Sequence, residues 1–398
     1  MAFLRNSAVN RINLHYGIHA FAQGAGGVFY LVFLLKAGVS LPVTLLTLAV
    51  VVAGRFALRS MVVPLAKRFG LKPLLVFGGL VHAAQYLVLA EVSGVGVALG
   101  LLCFVSALGD AFYWSCYHAY FAAIGDNEHR GHQIGAREAL AAVVGIVAPL
   151  AGAWALIVFG PRMAFGAVAA VQALSVVPLL GLPNVEIRSE VSSVFRAARL
   201  GVALFLIDGW FAAMILLVWQ LALFISLGER FDAYGGAMAL AALVGAAAGM
   251  LLGRHIDAGH GPRAVVIAYA IGGAVALLRA FSVGLPALAI GANALGALVL
   301  CLVVPAMMTP VYNLAKASPC PLRFHVACEG AWDLGCGAGA IVAAAIVWTG
   351  WSLSIAIVLA LPAALASAVL LRRYYMTHAV AIETAMVPMA PGLAPGPD

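Results

Sequence analysis

The feature that most constrains this chain is a series of twelve apolar runs, each long enough to cross a lipid bilayer. Lipid offers no hydrogen-bond partner to the backbone, so a run of roughly 20 apolar residues crosses the bilayer as an α-helix. Only 9% of the 398 residues are charged and 64% are apolar, which leaves little sequence for a soluble domain. The sequence therefore predicts an all-α polytopic membrane protein with twelve transmembrane helices, at 12–36, 40–62, 73–92, 95–124, 135–159, 162–182, 199–226, 234–253, 263–282, 285–314, 326–348 and 351–373.

The basic residues indicate how the chain is oriented in the membrane. Cytoplasmic loops of membrane proteins are enriched in Lys and Arg. One set of alternate loops holds sixteen of these residues, whereas the other set holds only Lys36, Arg162 and Arg230. We therefore expect both termini in the cytoplasm and the cell inner membrane as the location, with lipid rather than nucleic acid as the partner of this basic chain. The sixteen are Arg5, Arg11, Arg59, Lys67, Arg68, Lys72, Arg130, Arg188, Arg196, Arg199, Arg254, Arg263, Lys316, Arg323, Arg372 and Arg373.

A long polar interruption after the sixth run divides the spans into six and six. The predicted organisation is an N-terminal six-helix bundle at 1–183, a cytoplasmic linker at 184–198, a C-terminal six-helix bundle at 199–376 and a disordered cytoplasmic tail at 377–398. The halves also echo each other, since Glu138 opens the fifth predicted span and Glu329 opens the eleventh. Paired repeats of this kind are typical of secondary transporters.

The loop between the eighth and ninth predicted spans carries the most specific motif. Gly253, Asp257, Gly261 and Arg263 have the spacing of a loop signature found in the major facilitator superfamily, which this chain resembles. The resemblance implies two six-helix bundles and transport by alternating access, with the Asp locking helix ends together through an arginine. The corresponding loop between the second and third spans keeps Arg68, Gly70 and Lys72 but has Ala66 and Lys67 where the acid is expected.

Two further segments resemble motifs of the same superfamily. Gly145-Ile146-Val147-Ala148-Pro149-Leu150-Ala151-Gly152 in the fifth span is similar to a motif of its antiporters, with Ala148 in place of the first Gly. Leu182-Pro183-Asn184-Val185-Glu186 is similar to a motif that follows the sixth span there. The antiporter resemblance implies export rather than import.

Polar residues inside the spans are the candidate functional residues, because ionisable groups in a membrane are costly and mark a cavity or a pathway. A carboxylate in a partly dry cavity can exchange a proton near neutral pH, and the candidates for proton coupling are Asp110, Asp208 and Asp333. The candidate substrate-binding residues are His15, His19, Gln23, Tyr113, Trp114, Tyr117, His118 and Arg279. Residues nearer the cytoplasmic ends are interpreted as gate contacts, and these are Gly253, Arg254, Asp257, Arg263, Arg68, Arg137, Glu138 and Glu329.

These features predict a monomeric secondary active transporter that moves a small organic solute, coupled to protons and without a cofactor. Two alternatives stay open. A divalent metal ion carrier would draw ligands from His15, His19, Asp110, Cys116, His118, Cys328 and Asp333. A non-transporting membrane sensor is the other alternative. No nucleophile–base arrangement or phosphate-binding loop is visible in the sequence, so we do not expect an enzyme, and the substrate cannot be read from the residues.

Overall fold

The computed structural model describes residues 6–124, 130–186, 195–256 and 261–386. Within these ranges every regular element is a helix and no β-strand is present. The description does not extend to the side chains at 122, 130–136, 138–139, 195–197, 250–256, 261, 321 and 378–386.

The helices follow one another with short connections. In the described part of the chain the α-helices are α1 (Ser7–Ala25), α2 (Tyr30–Lys36), α3 (Leu41–Phe69), α4 (Leu71–Ala90), α5 (Val97–Ile124), α6 (Arg130–Val158), α7 (Gly160–Leu174), α8 (Val177–Leu180), α9 (Phe195–Ala212), α10 (Trp219–Ser226), α11 (Phe231–Ile256), α12 (Gly261–Ser282), α13 (Pro286–Ala317), α14 (Pro321–Trp348), α15 (Leu353–Val358) and α16 (Ala360–Met386). A 3-10 turn at Gly27–Phe29 joins α1 to α2, and a π-helical turn at Ala213–Val218 joins α9 to α10.

The described residues form twelve helical stretches long and apolar enough to cross a membrane, which confirms the predicted number. Eight of them are single helices. The other four are composite, because α1 with α2, α7 with α8, α9 with α10, and α15 with α16 each make one span. Twelve such helices without a strand fit a polytopic membrane protein.

Two predicted boundaries differ from the structure. Helix α9 begins at Phe195, inside the predicted linker. Helix α16 continues to Met386, so residues 377–386 of the predicted disordered tail are helical. This stretch contains several Ala residues, which have the highest helix propensity, and it continues the twelfth span without an intervening Pro or Gly. Residues 387–398 lie outside the described ranges.

An even number of antiparallel spans brings both ends of the described chain to one side of the bundle. We call the side at which α1 begins the near side and the opposite side the far side. Asn6 precedes α1, and its side-chain Nδ2 lies 3.5 Å from the carbonyl oxygen of Ile124 at the end of α5. The end of the fourth span therefore lies on the near side. The predicted orientation assigns the near side to the cytoplasm.

The helix contacts divide largely into two groups. In the first half, α4 packs against α5 and α7, and α1 packs against α6; in the second half, α14 packs against α9, and α12 against α13 and α16. Contacts between the halves come chiefly from two pairs, α3 with α14 and α6 with α11.

Glycines allow the closest of these approaches. A Cβ at Gly335 on α14 would collide with the carbonyl group of Leu206 on α9, and a Cβ at Gly209 on α9 would collide with the carbonyl group of Trp332 on α14. In the same way, a Cβ at Gly152 would collide with the backbone of Ala25. Small residues at helix interfaces are the usual means of close packing in membranes, and Gly152 ends the segment similar to the antiporter motif.

Replacement of Gly335 by Ala tests the contact between α9 and α14. The added methyl group must push two backbones apart, so we expect Gly335→Ala to lower the stability by roughly 1–3 kcal/mol, the usual cost of overpacking. The midpoint of thermal unfolding of the purified protein measures this. Gly291→Ala on α13 is the matched control, because a Cβ at Gly291 meets no atom within 4 Å. An equal loss in both variants would show that this interface is not tightly packed.

Cysteine labelling tests the orientation. In a background whose native cysteines are replaced by alanine, Lys67→Cys places a thiol on the exposed near side and Ser93→Cys places one on the exposed far side. We expect a membrane-impermeant maleimide to label Ser93→Cys in intact cells, and Lys67→Cys only after the membrane is permeabilised. The reverse pattern would show that the near side faces outward.

Candidate functional site

Four charged side chains join α3 to α14 in the middle of the bundle. Arg55 and Arg59 lie four residues apart on α3, and Glu329 and Asp333 lie four residues apart on α14, so each pair shares one helix face. We call these four residues the charge ladder. Arg55 Nε donates to Asp333 Oδ1 at 2.6 Å, and Arg59 Nε donates to Asp333 Oδ2 at 2.6 Å. Arg59 also forms an ion pair with Glu329, so the two halves of the chain are tied by buried charges.

The ladder corrects the interpretation of Arg59. The sequence analysis counted this residue among the basic residues of the predicted cytoplasmic side. The structure buries it, at 5% exposure, and pairs it with two carboxylates of α14. It also donates from Nη1 to Ser115 Oγ at 2.9 Å. A buried arginine that is paired with two carboxylates gives little information about the orientation of the chain in the membrane. The predicted orientation therefore depends on the exposed Lys and Arg residues.

Asp110 on α5 extends the ladder into the first half. Its Oδ1 lies 3.0 Å from His82 Nε2 on α4, and its Oδ2 lies 3.5 Å from Arg55 Nη1. Its side chain is 27% exposed, compared with 17% for Glu329 and none for Asp333. Asp110 is therefore the most exposed carboxylate of this cluster.

Formal charge in the cluster does not balance. The carboxylates of Asp110, Glu329 and Asp333 face two guanidinium groups, which leaves one negative charge when His82 is neutral. An uncompensated charge in the membrane interior costs on the order of 3 kcal/mol. A single additional proton, held by His82 or by a carboxylate, removes this excess.

Asp208 lies beside the ladder on α9. Trp332 Nε1 donates to Asp208 Oδ2 at 3.0 Å, and the guanidinium carbon of Arg55 lies 5.0 Å from the centroid of the Trp332 ring. Trp332 therefore contacts both Asp208 and the ladder. Within the described residues, Asp208 forms a hydrogen bond but no ion pair. Among the three acids predicted to couple protons, Asp333 is thus doubly paired, Asp110 is partly paired and Asp208 has no cationic partner.

Two of the predicted substrate-binding histidines form a buried hydrogen-bonded layer between α1, α5 and α7. His15 Nδ1 lies 2.7 Å from the carbonyl oxygen of Ser175, and its Nε2 lies 2.9 Å from the Tyr113 hydroxyl. His19 Nδ1 lies 2.9 Å from Gln172 Oε1. Because both nitrogens of His15 have partners inside the protein, this residue holds α1 against its neighbours.

Aromatic rings surround His19. The Tyr113 ring stacks on it with centroids 4.3 Å apart, and Trp114 meets it edge-on at 5.6 Å. The His82 ring also stacks on His19, with centroids 5.8 Å apart. Because His82 contacts Asp110, the aromatic layer reaches the charged cluster. Tyr117 stacks in turn on Tyr113 at 5.8 Å. The structure therefore brings together several of the first-span and fourth-span residues that were predicted to bind substrate.

The remaining predicted substrate residues are more dispersed. His118 is exposed at the near end of α5, where it stacks on Trp114. Gln23 is partly buried on α1. Its amide oxygen lies where a Cβ at Gly27 would stand, next to the 3-10 turn of the first span.

Arg279 on α12 lies in a different environment from the ladder. Its Nη1 donates to the carbonyl oxygen of Ile215 in the π-helical turn, and its guanidinium lies 5.0 Å from the centroid of the Trp219 ring. A π-turn disturbs the regular i to i−4 pattern and leaves backbone groups in need of partners, so Arg279 satisfies one of them. Trp219 Nε1 donates to Asn293 Oδ1 at 3.0 Å, which ties the same turn to α13. The contacts of Arg279 are those of a residue that stabilises the π-turn.

The predicted gate residues are described in part. Arg137 stacks on Tyr16 and Phe121 at 5.0 and 5.3 Å, where it joins α6 to α1 and α5 near the near side. Arg68 and Arg263 are exposed on the near side. Asp257 lies outside the described residues, as do the side chains of Gly253, Arg254 and Glu138.

Three contributors to the site were missed from the sequence: His82, Ser115 and Gln172. Each is a polar residue inside a predicted span, so the cost of burying it was a usable signal. In the sequence His82 is followed three residues later by Gln85, and Gln172 by Ser175, which is too short a pattern to single out either residue. Only the packing of α4 and α7 brings them to Asp110 and His19.

The far side of the bundle is closed by aromatic residues of three spans. Phe29 packs edge-on against Phe231 and Tyr234 at 6.0 and 5.7 Å, and Phe224 stacks on Phe231 at 5.6 Å. Tyr234 donates its hydroxyl to the carbonyl oxygen of Val28 at 3.2 Å. We call Phe29, Phe224, Phe231 and Tyr234 the far-side seal.

No group of three or more His, Cys, Asp or Glu side chains suited to a metal ion occurs in the described part of the chain. The close pair of His15 and His19 directs three of its four ring nitrogens to protein partners. No protein-family model matches the sequence, and no curated protein matches it either.

Neutralisation of single acids tests the ladder. Asp333→Asn removes the carboxylate that both Arg55 and Arg59 contact, and removing one partner of a buried ion pair costs roughly 3–5 kcal/mol. We expect Asp333→Asn to lower the midpoint of thermal unfolding strongly. Asp208→Asn removes a charge that has no cationic partner among the described residues, so it should leave the midpoint unchanged or raise it. Equal effects in the two variants would contradict the assignment of Asp333 as the centre of the ladder.

Proposed function

We propose that this protein is a secondary active transporter of the major facilitator type, which moves a small organic solute by alternating access and is coupled to protons. The observation that carries this proposal is the charge ladder with Asp110 and His82, placed between the halves of the chain. Charged residues inside a membrane are costly, and they occur where ions or substrates pass.

The pattern of helix contacts supports two bundles. Most contacts lie within the first six spans or within the last six, and the halves meet chiefly through the second span with the eleventh and the fifth with the eighth. If two equivalent six-helix repeats are related by a two-fold axis, the second span corresponds to the eighth and the fifth span to the eleventh. The axis then relates the pair of the second and eleventh spans to the pair of the eighth and fifth. Repeats related by such an axis surround a midplane site in many transporters.

The proton-coupling role falls to Asp110 together with His82. Asp110 is the most exposed acid of the cluster and touches both His82 and Arg55. The excess negative charge gives the cluster a reason to take up one proton, and loss of that proton strengthens the attraction to Arg55. Protonation can therefore change the strength of the contact between α3 and α5 while the ladder holds α3 against α14.

Alternating access requires that the two sides open in turn. The far-side seal supports a state closed on the far side, in which the first, seventh and eighth spans are packed together. Export is the direction that we propose. It is supported by the antiporter-like segment of α6, whose Gly152 contacts α1 and whose Pro149 carbonyl oxygen lies close to Gly235 of α11.

Proton flux into proteoliposomes tests this function. We would reconstitute the protein with a pH-sensitive dye inside, impose a pH gradient and add a library of organic solutes and divalent metal ions. We expect at least one organic solute to move protons with the wild type, and Asp110→Asn to reduce this flux to the rate of protein-free liposomes.

Asp232→Asn is the matched control, because it neutralises an acid paired with Arg230 on the exposed far side. It should retain the flux. Flux with divalent metals alone would favour the metal carrier, and no flux with any solute from folded protein would favour the sensor. Full solute-coupled flux in Asp110→Asn would remove this residue from the coupling role.

A further inference from the structure

His19 carries a buried nitrogen that nothing in the described residues satisfies. The residue is 1% exposed, and its Nε2 has no hydrogen-bond partner. Buried polar atoms in native proteins almost always have a partner, so an exception calls for a ligand, an ion or water at that point. The proton-coupling proposal does not use this atom.

The hydrogen bonds of the layer determine what kind of partner the nitrogen needs. Gln172 Nε2 donates to the carbonyl oxygen of Gly79 at 3.3 Å, which directs Gln172 Oε1 toward His19. An amide oxygen only accepts, so His19 Nδ1 carries the hydrogen. In the neutral ring the other nitrogen then has a free lone pair. His19 Nε2 therefore needs a hydrogen-bond donor.

The surroundings determine the rest of the ligand. Rings of Tyr113, Trp114 and His82 stand around His19 at 4.3, 5.6 and 5.8 Å, and such walls suit an aromatic or apolar body. Trp114 is partly exposed and lies edge-on to His19, so it is the wall of the layer nearest to the surface of the protein. Asp110 contacts the Nε2 atom of His82. It is the most exposed acid of the cluster that carries the excess negative charge. A positive charge on the ligand would offset that excess.

We propose that the layer formed by His19, His82, Tyr113 and Trp114 binds a protonated primary amine attached to an aromatic or apolar body, with an N–H of the ammonium group donating to His19 Nε2. Asp110 supplies the opposite charge. This inference rests on the proposed function, since it assigns the amine as the class of solute carried. An amine also explains how proton and solute exchange, because each offsets the same negative charge.

A set of three probes separates charge from hydrogen bonding. They are 2-phenylethylamine, its trimethylammonium derivative, which keeps the charge but has no N–H donor, and the anion 3-phenylpropionate. Binding to the purified protein in lipid nanodiscs is measured by calorimetry. We expect the amine to bind about tenfold more tightly than the trimethylammonium probe, the ratio that corresponds to one hydrogen bond to a buried acceptor. The anion should bind more weakly than either.

Two variants test whether His19 causes the preference for the amine over the trimethylammonium probe. His19→Phe keeps a ring but removes the acceptor, so the amine should fall to the affinity of the trimethylammonium probe while the latter is unchanged. His325→Phe on α14 is the matched control and should preserve the preference. If His19→Phe does not fold, the comparison of the two cations on the wild type still decides the question.

Each outcome counts for or against the proposal. Equal binding of the two cations to the wild type would show that His19 Nε2 takes only water, and it would overturn the assignment. Tighter binding of 3-phenylpropionate, or no binding of any probe, would overturn the amine class. Amine binding without proton flux would support the amine site and contradict the transport function. Proton flux coupled to 3-phenylpropionate would support the transport function and contradict the amine site.

Discussion

Two arginines on α3 and two carboxylates on α14 form the buried ion pairs that link the halves of this protein inside the bundle. In such a place a charge without a partner is costly, so Arg55, Arg59, Glu329 and Asp333 must stay matched whenever the second and eleventh spans are in contact. Asp333, with one guanidinium on each oxygen, is the centre of this arrangement. The register of α3 against α14 is tied to it, because sliding either helix along its axis would pull the guanidinium groups away from the carboxylates.

The other polar features are arranged around this contact. Arg55 reaches Asp110 and the Trp332 ring as well as Asp333, so it connects the ladder to both candidate proton sites. Asp110 in turn holds His82, which stacks on His19. A proton or a cationic solute that alters the charge at Asp110 thus acts on a side chain that also holds the halves together. This linkage is the physical basis for coupling in the proposed mechanism.

Much of the fold was predictable, and less of the site. The apolar runs predicted the number of membrane-spanning helical stretches correctly, and the four-residue spacing of Glu329 and Asp333 marked one polar face of the eleventh span. The matching spacing of Arg55 and Arg59 was equally visible, but Arg59 was assigned to the predicted cytoplasmic side and its partners went unrecognised. His82 and Gln172 could not be found by pattern, since one further polar residue three positions on (Gln85 and Ser175) is too short a repeat to mark a functional face. Arg279, proposed for substrate, lies against a π-turn that hydropathy does not reveal.

By itself the sequence determined the class of structure, because the solvation of the backbone in lipid depends only on the length and polarity of each run. It also determined which residues were costly enough to need a partner. Which residue became that partner was decided only by the tertiary structure. Arg59 and Glu329 are separated by 270 residues, and Asp110 and His82 by 28. Pairing over such separations depends on how the helices rotate and slide against one another, and close contacts such as that of Gly335 with Leu206 are one part of that packing.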